Sequence, residues 1–446
     1  MKKLLLLMLS FFMALGAGLA NASTRSDAMG ATGFLNVVED YDLIFTYPNK
    51  VLDYQNTVDY RIQGSATTDD WGGVLDGKNK NFGVLGVYLN RASMVQSFTG
   101  LVAANSKIKA GSNFATIKNP TPLVDLFWGK EISSMNIGVQ VSYADEKGNN
   151  NTIAAAPAGT TTVEVKDFSR QIGIRAGAGL KDLGPFQEGN IAVGYTLASV
   201  ENSSNTSGVT VGNWKAQGDG IHKLDVNANV RHDLDENNNL KLFAGFTAGQ
   251  FGLKEYRTAA AGNETWTGKS SASTIVIGLG ENHTVAEGAG LVSGGVRADI
   301  VSGKLKGTHA TAAGVADVTN GDELKSSSLQ LPIFVSTEAK VKNWLTLRAG
   351  VDYFIYTKAT TKTPTTTGTS PTTTTTTVES YTTDANGTFA FNAGFGLNWK
   401  NWTLDGRLTT SNLETNLCDF TPGKGIFYAG TTGNLVLTSI DLRYKF

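Results

Sequence analysis

The feature that most constrains this chain is period-two alternation sustained over long runs. From Thr388 to Trp399, Phe389, Phe391, Ala393, Phe395, Leu397 and Trp399 fall on one face. Thr388, Ala390, Asn392, Gly394, Gly396 and Asn398 fall on the other. Successive side chains of a strand point to opposite faces, so this strand has one apolar face and one small or polar face. The pattern recurs at Met135, Ile137, Val139, Val141 and Tyr143, and again at Leu345, Leu347, Ala349, Val351, Tyr353 and Ile355. Strands of soluble sandwiches usually run about 5 to 6 residues. These runs reach roughly 10 to 14, and a bilayer-spanning strand needs about 9 to 11.

Composition narrows the class. Of 446 residues only 17% are charged, against about 25% in an ordinary soluble domain. Beyond the first two dozen residues no apolar run approaches the roughly 20 residues of a spanning helix. Lys+Arg is 38 and Asp+Glu 39, so the basic excess of a nucleic-acid binder is missing. A single cysteine, Cys418, excludes an intramolecular disulfide framework and any multi-cysteine metal site. With only four histidines, neither a metal nor another cofactor is expected.

The N-terminus reads as an export signal. Lys2 and Lys3 precede an apolar stretch from Leu4 to Leu15, and Ala20-Asn21-Ala22 supplies a small-x-small cleavage pattern. Cleavage after Ala22 leaves a mature chain that begins at Ser23. Short connections then alternate with long polar ones. The short ones are Gly77–Lys80, Glu131–Ser134, Lys181–Gly189, Asp233–Asn239, Glu281–Glu287, Val341–Trp344 and Lys400–Asn401. The long ones are 92–121, 145–167, 201–220, 253–270, 302–325, 358–386 and 413–433. This is the layout of an outer-membrane barrel with tight periplasmic turns and long external loops. Seven hairpins, an opening strand near Thr57–Gly64 and a closing strand predict an all-β, antiparallel up-and-down barrel of about 16 strands. Fourteen is the alternative if Trp71–Arg91 or the region around Glu281–Glu287 is not a hairpin.

The last strand supports this independently. Val436, Thr438, Ile440, Leu442, Tyr444 and Phe446 alternate to the end of the chain. Tyr444 and Phe446 look like the C-terminal assembly signal of bacterial outer-membrane proteins, which implies the barrel-assembly machinery and outer-membrane lipid as partners. Asp441 departs from that signal, which often has glycine there. Residues 27–56 carry a second resemblance. Asp27-Ala28-Met29-Gly30-Ala31-Thr32-Gly33, the acidic group Glu39, Asp40 and Asp42, and Phe45-Thr46-Tyr47-Pro48-Asn49 are similar to the N-terminal hatch of the long-chain fatty-acid outer-membrane transporter family. That family usually has Asn-Pro-Ala where Tyr47-Pro48-Asn49 stands, and it has 14 strands. The resemblance implies a lumen plugged by residues 23–56 and uptake of hydrophobic solutes. A periplasmic leader, or an extra strand from Leu43 to Val51, are the other readings of the segment.

Turning the apolar faces outward turns Arg297, Asp299, Glu338, Arg348, Asp352, Asp405, Arg407, Asp441 and Arg443 inward. An Arg or Lys on the lipid face costs about 2–4 kcal/mol at the midplane, so this parity is strongly set. Acids and bases are mixed, which predicts a polar lining without charge preference, or structural cross-strand pairs. Glu39, Asp40 and Asp42 are expected to meet Arg297, Arg348, Arg407 or Arg443. Pro332 interrupts the alternation of Leu329, Leu331, Ile333 and Val335, which predicts a bulge and a candidate lateral break. Thr360–Thr377, with 13 threonines, reads as an unpacked external loop. His222 beside Asp219 is the one acid–histidine pair near the outer rim. No Gly-x-Ser-x-Gly elbow accompanies it, so an enzyme is not expected. The sequence thus predicts a channel or transporter for small solutes, hydrophobic ones included, as monomer or oligomer. The alternative is a surface-display or adhesion protein with an occluded barrel.

Overall fold

The computed structural model describes residues 23–31, 33–63, 69–76, 82–91, 120–156, 159–207, 213–259, 262–311, 322–367, 372–382, 390–408 and 437–446. The export signal and its cleavage site lie outside these residues. Eighteen β segments form one sheet. They are β1 (Thr57–Gln63), β2 (Asp70–Asp76), β3 (Val84–Arg91), β4 (Leu123–Ile132), β5 (Met135–Ala156), β6 (Gly159–Leu183), β7 (Phe186–Thr206), β8 (Trp214–Gly218) and β9 (Ile221–Asp233). They continue as β10 (Asn238–Ala259), β11 (Gly262–Val285), β12 (Gly290–Thr311), β13 (Asp322–Lys342), β14 (Leu345–Thr367), β15 (Thr372–Thr382), β16 (Ala390–Trp399), β17 (Trp402–Leu408) and β18 (Leu437–Lys445). Both β8 and β9 pair with β7 and β10, so they are two parts of one strand. Likewise β15 and β16 both pair with β14. The segments therefore make 16 antiparallel strands.

The sheet closes on itself. β1 pairs with β18 from Thr57↔Lys445 to Gln63↔Ser439. Closure leaves no open edge, which is what a sheet in hydrocarbon requires, because unpaired backbone groups find no water there. All seven short connections predicted from the sequence join paired strands, including the two weakest, β2–β3 and β11–β12. The tight turns Ser133–Ser134 and Lys400–Asn401 put their first residue at φ 58° and 53°. Positive φ suits the twist of the flanking strands.

The long connections differ from expectation. Much of 145–167, 201–220, 253–270, 302–325 and 358–386 is ladder rather than loop. β5, β6, β10, β11, β12, β13 and β14 run 22, 25, 22, 24, 22, 21 and 23 residues. That is about twice a bilayer span. The threonine tract is part of this, with Thr360↔Glu379 through Thr367↔Thr372 paired between β14 and β15. Threonine is β-branched and favours strands, so a segment too polar for a core still extends a hairpin.

The barrel interior as candidate functional site

Local capping shapes the N-terminal segment. Ser23 caps a short helix, α1 (Thr24–Ala28), and its Oγ accepts from Ser26 N at 3.2 Å. Asp40 caps a 3-10 turn over Tyr41–Phe45, accepting from Tyr41 N at 2.7 Å. Pro48 opens a second such turn, Pro48–Tyr54, where its fixed φ is already suitable. Leu43–Val51 is therefore not a strand.

The segment's apolar side chains meet inward-facing ones. Phe34, Val37 and Val38 cluster with Phe243, Val276 and Phe334. Tyr41, Ile44, Phe45 and Val51 cluster with Val74, Val84, Tyr88 and Phe127. Leu35, Leu43 and Tyr47 pack on Ala192. Phe45 lies edge-on to Tyr88 at 5.1 Å and to Phe127 at 5.5 Å between ring centroids. Edge-on pairs of this kind add about 0.5–1.5 kcal/mol beyond their burial.

The ionic partners are only partly those expected. Glu39 pairs with Lys241 at 2.8 Å, Asp42 with Arg61 at 2.8 Å, and Asp40 with Arg443 at 3.8 Å. Arg443 alone belongs to the predicted set. Arg407 takes Asp27 at 3.3 Å, and Arg297 sits 5.2 Å over the Phe34 ring while binding Gly33 O. Arg348 is held within the wall by Glu338 and Asp405, each at 2.6 Å, and Arg25 joins Glu338 at 2.9 Å. Asp441 accepts from Arg61 at 3.0 Å and from Thr24 N at 2.8 Å. Asp299 pairs with Arg297 at 2.8 Å, and Asp352 accepts from Asn392 at 2.8 Å. Arg61, Lys241 and Arg175 lie outside the set expected from the sequence. Arg175 pairs with Asp225 at 2.7 Å and donates to Phe45 O. Arg61 and Lys241 alternate inward on β1 and β10, so the same parity rule finds them.

Two inward glycines show why one strand face is small. A Cβ at Gly138 would overlap the Pro48–Asn49 backbone, and one at Gly350 would overlap the Met29 carbonyl. Their hydrogen side chains let the segment's backbone approach the wall. Pro332 falls at a register shift between β13 and β14, Leu331↔Tyr356 giving way to Pro332↔Phe354. On its other side the β12–β13 pairing skips from Val296↔Ile333 to Asp299↔Gln330. A proline cannot donate to either ladder.

Toward the loop end of β7, β9 and β10 the inward positions Val200, Ile221, Phe251 and Leu253 are buried and apolar, while Asn202, Glu255 and Ser270 at neighbouring inward positions are buried and polar. The lining is therefore mixed, with an apolar group that the inward charges alone do not reveal.

The outer surface is the reverse of a soluble protein's. Ile62, Ile172, Ile174, Ile191, Ile277, Val335 and Leu347 are all exposed. At the short-turn end, Phe82, Trp344, Trp399 and Phe446 are exposed as well, and Trp402 lies 4.6 Å from Tyr444 between ring centroids. Aromatic residues favour membrane interfaces. A closed antiparallel ladder with an apolar exterior defines a transmembrane β-barrel of the outer-membrane type. Asp219 pairs with Lys254 at 3.5 Å, and the His222 ring lies 6.2 Å from that of Tyr195.

No family model and no curated protein matches the chain. Solved barrels do. The CymD monoaromatic hydrocarbon channel is 11% identical, over 95% of this chain and 97% of its own, with a TM-score of 0.33. The toluene transporter TodX of P. putida is 10% identical, over 96% and 99%, with a TM-score of 0.34. The outer-membrane protease OmpT of Escherichia coli is 12% identical, over 70% and 97%, with a TM-score of 0.25. At these TM-scores the assignment rests on the strand pairing itself.

Proposed function

We propose that the chain is an outer-membrane channel for passive uptake of small hydrophobic solutes, with residues 23–56 as a plug in its lumen. The observation that carries this reading is the inward apolar group of Val200, Ile221, Phe251 and Leu253, toward the loop end from the cluster of Phe34, Phe243, Val276 and Phe334. Inward apolar groups are a poor lining for ions or sugars and a good one for solutes that leave water readily. They are buried, so a solute passes by displacing side chains rather than through an open pore.

In this reading the short turns face the periplasm and the long hairpins face outward. The ladder gap at Pro332 is the place where a solute could leave sideways into lipid. The hatch-like segment and this route align the chain with the fatty-acid transporter resemblance, although the wall has two strands more than that family's. Tyr444 and Phe446 would present the assembly signal, and export would begin with cleavage after Ala22. A second reading, loop-mediated surface binding, draws support from the hairpins that extend far past a bilayer's thickness.

Uptake of a small aromatic hydrocarbon into vesicles, together with single-channel conductance, tests the first reading. Deleting residues 23–56 should raise conductance while the barrel stays heat-modifiable in SDS. Phe251→Asp should depress hydrocarbon uptake several-fold, because a charge then interrupts an apolar path. Unchanged uptake in Phe251→Asp, with conductance unaffected by the deletion, would leave the surface-binding reading standing.

A further inference from the structure

Three buried polar atoms of the interior stand about one rung of the ladder without a hydrogen-bond partner. They are the Tyr47 hydroxyl, Asn227 Nδ2 and Thr247 Oγ1. The three residues are 0%, 5% and 4% exposed. Buried polar atoms are paired as a rule, because an unpaired one has given up its bond to water for nothing. These three come from different elements: the N-terminal segment, β9 and β10.

Strand register places them together. Ala192 on β7, Asn227 on β9, Gly245 on β10 and Val276 on β11 are in line. Tyr47 packs on Ala192, which lies directly across from Asn227. Thr247 is the next inward residue after Gly245, opposite Asp225 and diagonal to Asn227. Diagonal neighbours on one sheet face lie about 7–8 Å apart, a gap that one small group can bridge. Small residues flank Asn227, and a Cβ at Gly245 would come 2.9 Å from its Oδ1. Arg175 and Asp225 balance each other at 2.7 Å. The rest of the surround is apolar: Leu35 and Leu43 beside Tyr47, and Phe34 and Phe243 beside Val276.

We propose that Tyr47, Asn227 and Thr247 form a binding site for the hydroxyl group of a small phenol-like solute. A pure hydrocarbon leaves all three atoms unpaired, and an ion meets an apolar surround. A hydroxyl on an aromatic body answers both. Its oxygen accepts from Asn227 Nδ2, and it exchanges hydrogen bonds with the Tyr47 and Thr247 hydroxyls, each of which donates or accepts. The site rests on the channel reading and narrows its solute class to aromatic molecules that carry a hydroxyl. Tyr47 belongs to the N-terminal segment, so the bound hydroxyl bridges segment and wall. An internal water offers the same hydroxyl chemistry, and a matched pair of probes separates the two sources.

Fluorine NMR titration of the full mature chain, refolded in detergent, compares para-fluorophenol with fluorobenzene after partition into protein-free micelles is subtracted. The phenol should bind about tenfold more tightly, as expected when a hydroxyl pairs groups otherwise left buried and unpaired. Tyr47→Phe and Thr247→Val each remove one hydroxyl and keep the shape of the side chain. Each should lower the phenol's advantage several-fold and leave fluorobenzene affinity unchanged. Thr403→Val on β17 removes a hydroxyl that is bonded to Asn398 at 3.2 Å, and should change neither affinity. Equal affinity of the unaltered chain for the two probes assigns the three atoms to water and overturns the proposal, while the channel reading stands. Binding of neither probe overturns both. A phenol advantage that survives Tyr47→Phe and Thr247→Val, or that falls as far in Thr403→Val, also overturns the site.

Discussion

Arg61 carries the densest ionic contact in the interior. Its side chain is 3% exposed and lies between Asp42 at 2.8 Å, Asp441 at 3.0 Å and Asp70 at 3.7 Å. Arg61→Ala leaves three buried acids without their shared cation. Breaking a buried pair in this way costs about 3–5 kcal/mol. The urea midpoint of the refolded barrel should fall accordingly, and Arg61→Lys should restore only part of the loss, because a point charge cannot serve three carboxylates as a planar fork does. Gly350 offers a sharper separation of segment from wall. A valine there collides with the Met29 carbonyl while its outer-face neighbours are untouched. Gly350→Val should expose residues 23–56 to added protease, with the barrel still heat-modifiable. Protection equal to that of the unaltered chain would mean that the segment is not seated where Met29 meets β14.

Among the elements, the turn between β9 and β10 is tied by one carboxylate. Asp235 accepts from Asn238 Nδ2 at 2.6 Å and from the backbone N of Asn237 and Asn238 at 2.8 Å each. These hydrogen bonds, the Asn238 side chain's first, hold its carboxyl below the usual aspartate range. A depressed folded value means that the contribution is complete above the ordinary value and is lost as pH falls through the depressed one. Amide exchange at Asn237 and Asn238, corrected for intrinsic rates, should therefore be flat from neutral pH to about 5 and quicken below roughly 4. Asp235→Ala should remove the acid-dependent step. The last strand makes its own prediction. Tyr444 lies against Trp402, and Lys445 and Phe446 donate backbone N–H to Asn401 and Asn56 carbonyls at 2.9 Å each. Tyr444→Ala with Phe446→Ala removes the aromatic face and keeps the ladder. Outer-membrane levels should drop while refolding in detergent persists.

At the scale of the whole molecule, the barrel wall and the N-terminal segment are held by different contacts. The wall is held by a ladder closed through β1 and β18. The segment is held by side chains from strands around the ring: Arg61 on β1, Lys241 on β10, Glu338 on β13, Arg407 on β17 and Arg443 on β18. Removing one such contact loosens it locally, and removing the segment should leave the wall intact. That is why deletion of residues 23–56 with conductance as the readout separates a plug from a structural core.

Strand alternation by itself determined the class of fold, the closed topology and the inward parity of Arg297, Arg348, Asp405 and Asp441, because period two has one geometric meaning and lipid penalises charge. The spacing of short connections also determined the strand number. Other features were decided only by the tertiary structure. The length of the long hairpins was hidden, since polar threonine-rich strands and polar loops share a composition. The partners of Glu39 and Asp42, which are Lys241 and Arg61, depend on how the segment turns at Asp40 and Pro48. The apolar inward group of Val200, Ile221, Phe251 and Leu253 depends on which positions of different strands reach similar heights, and register between distant strands is set by closure of the ring.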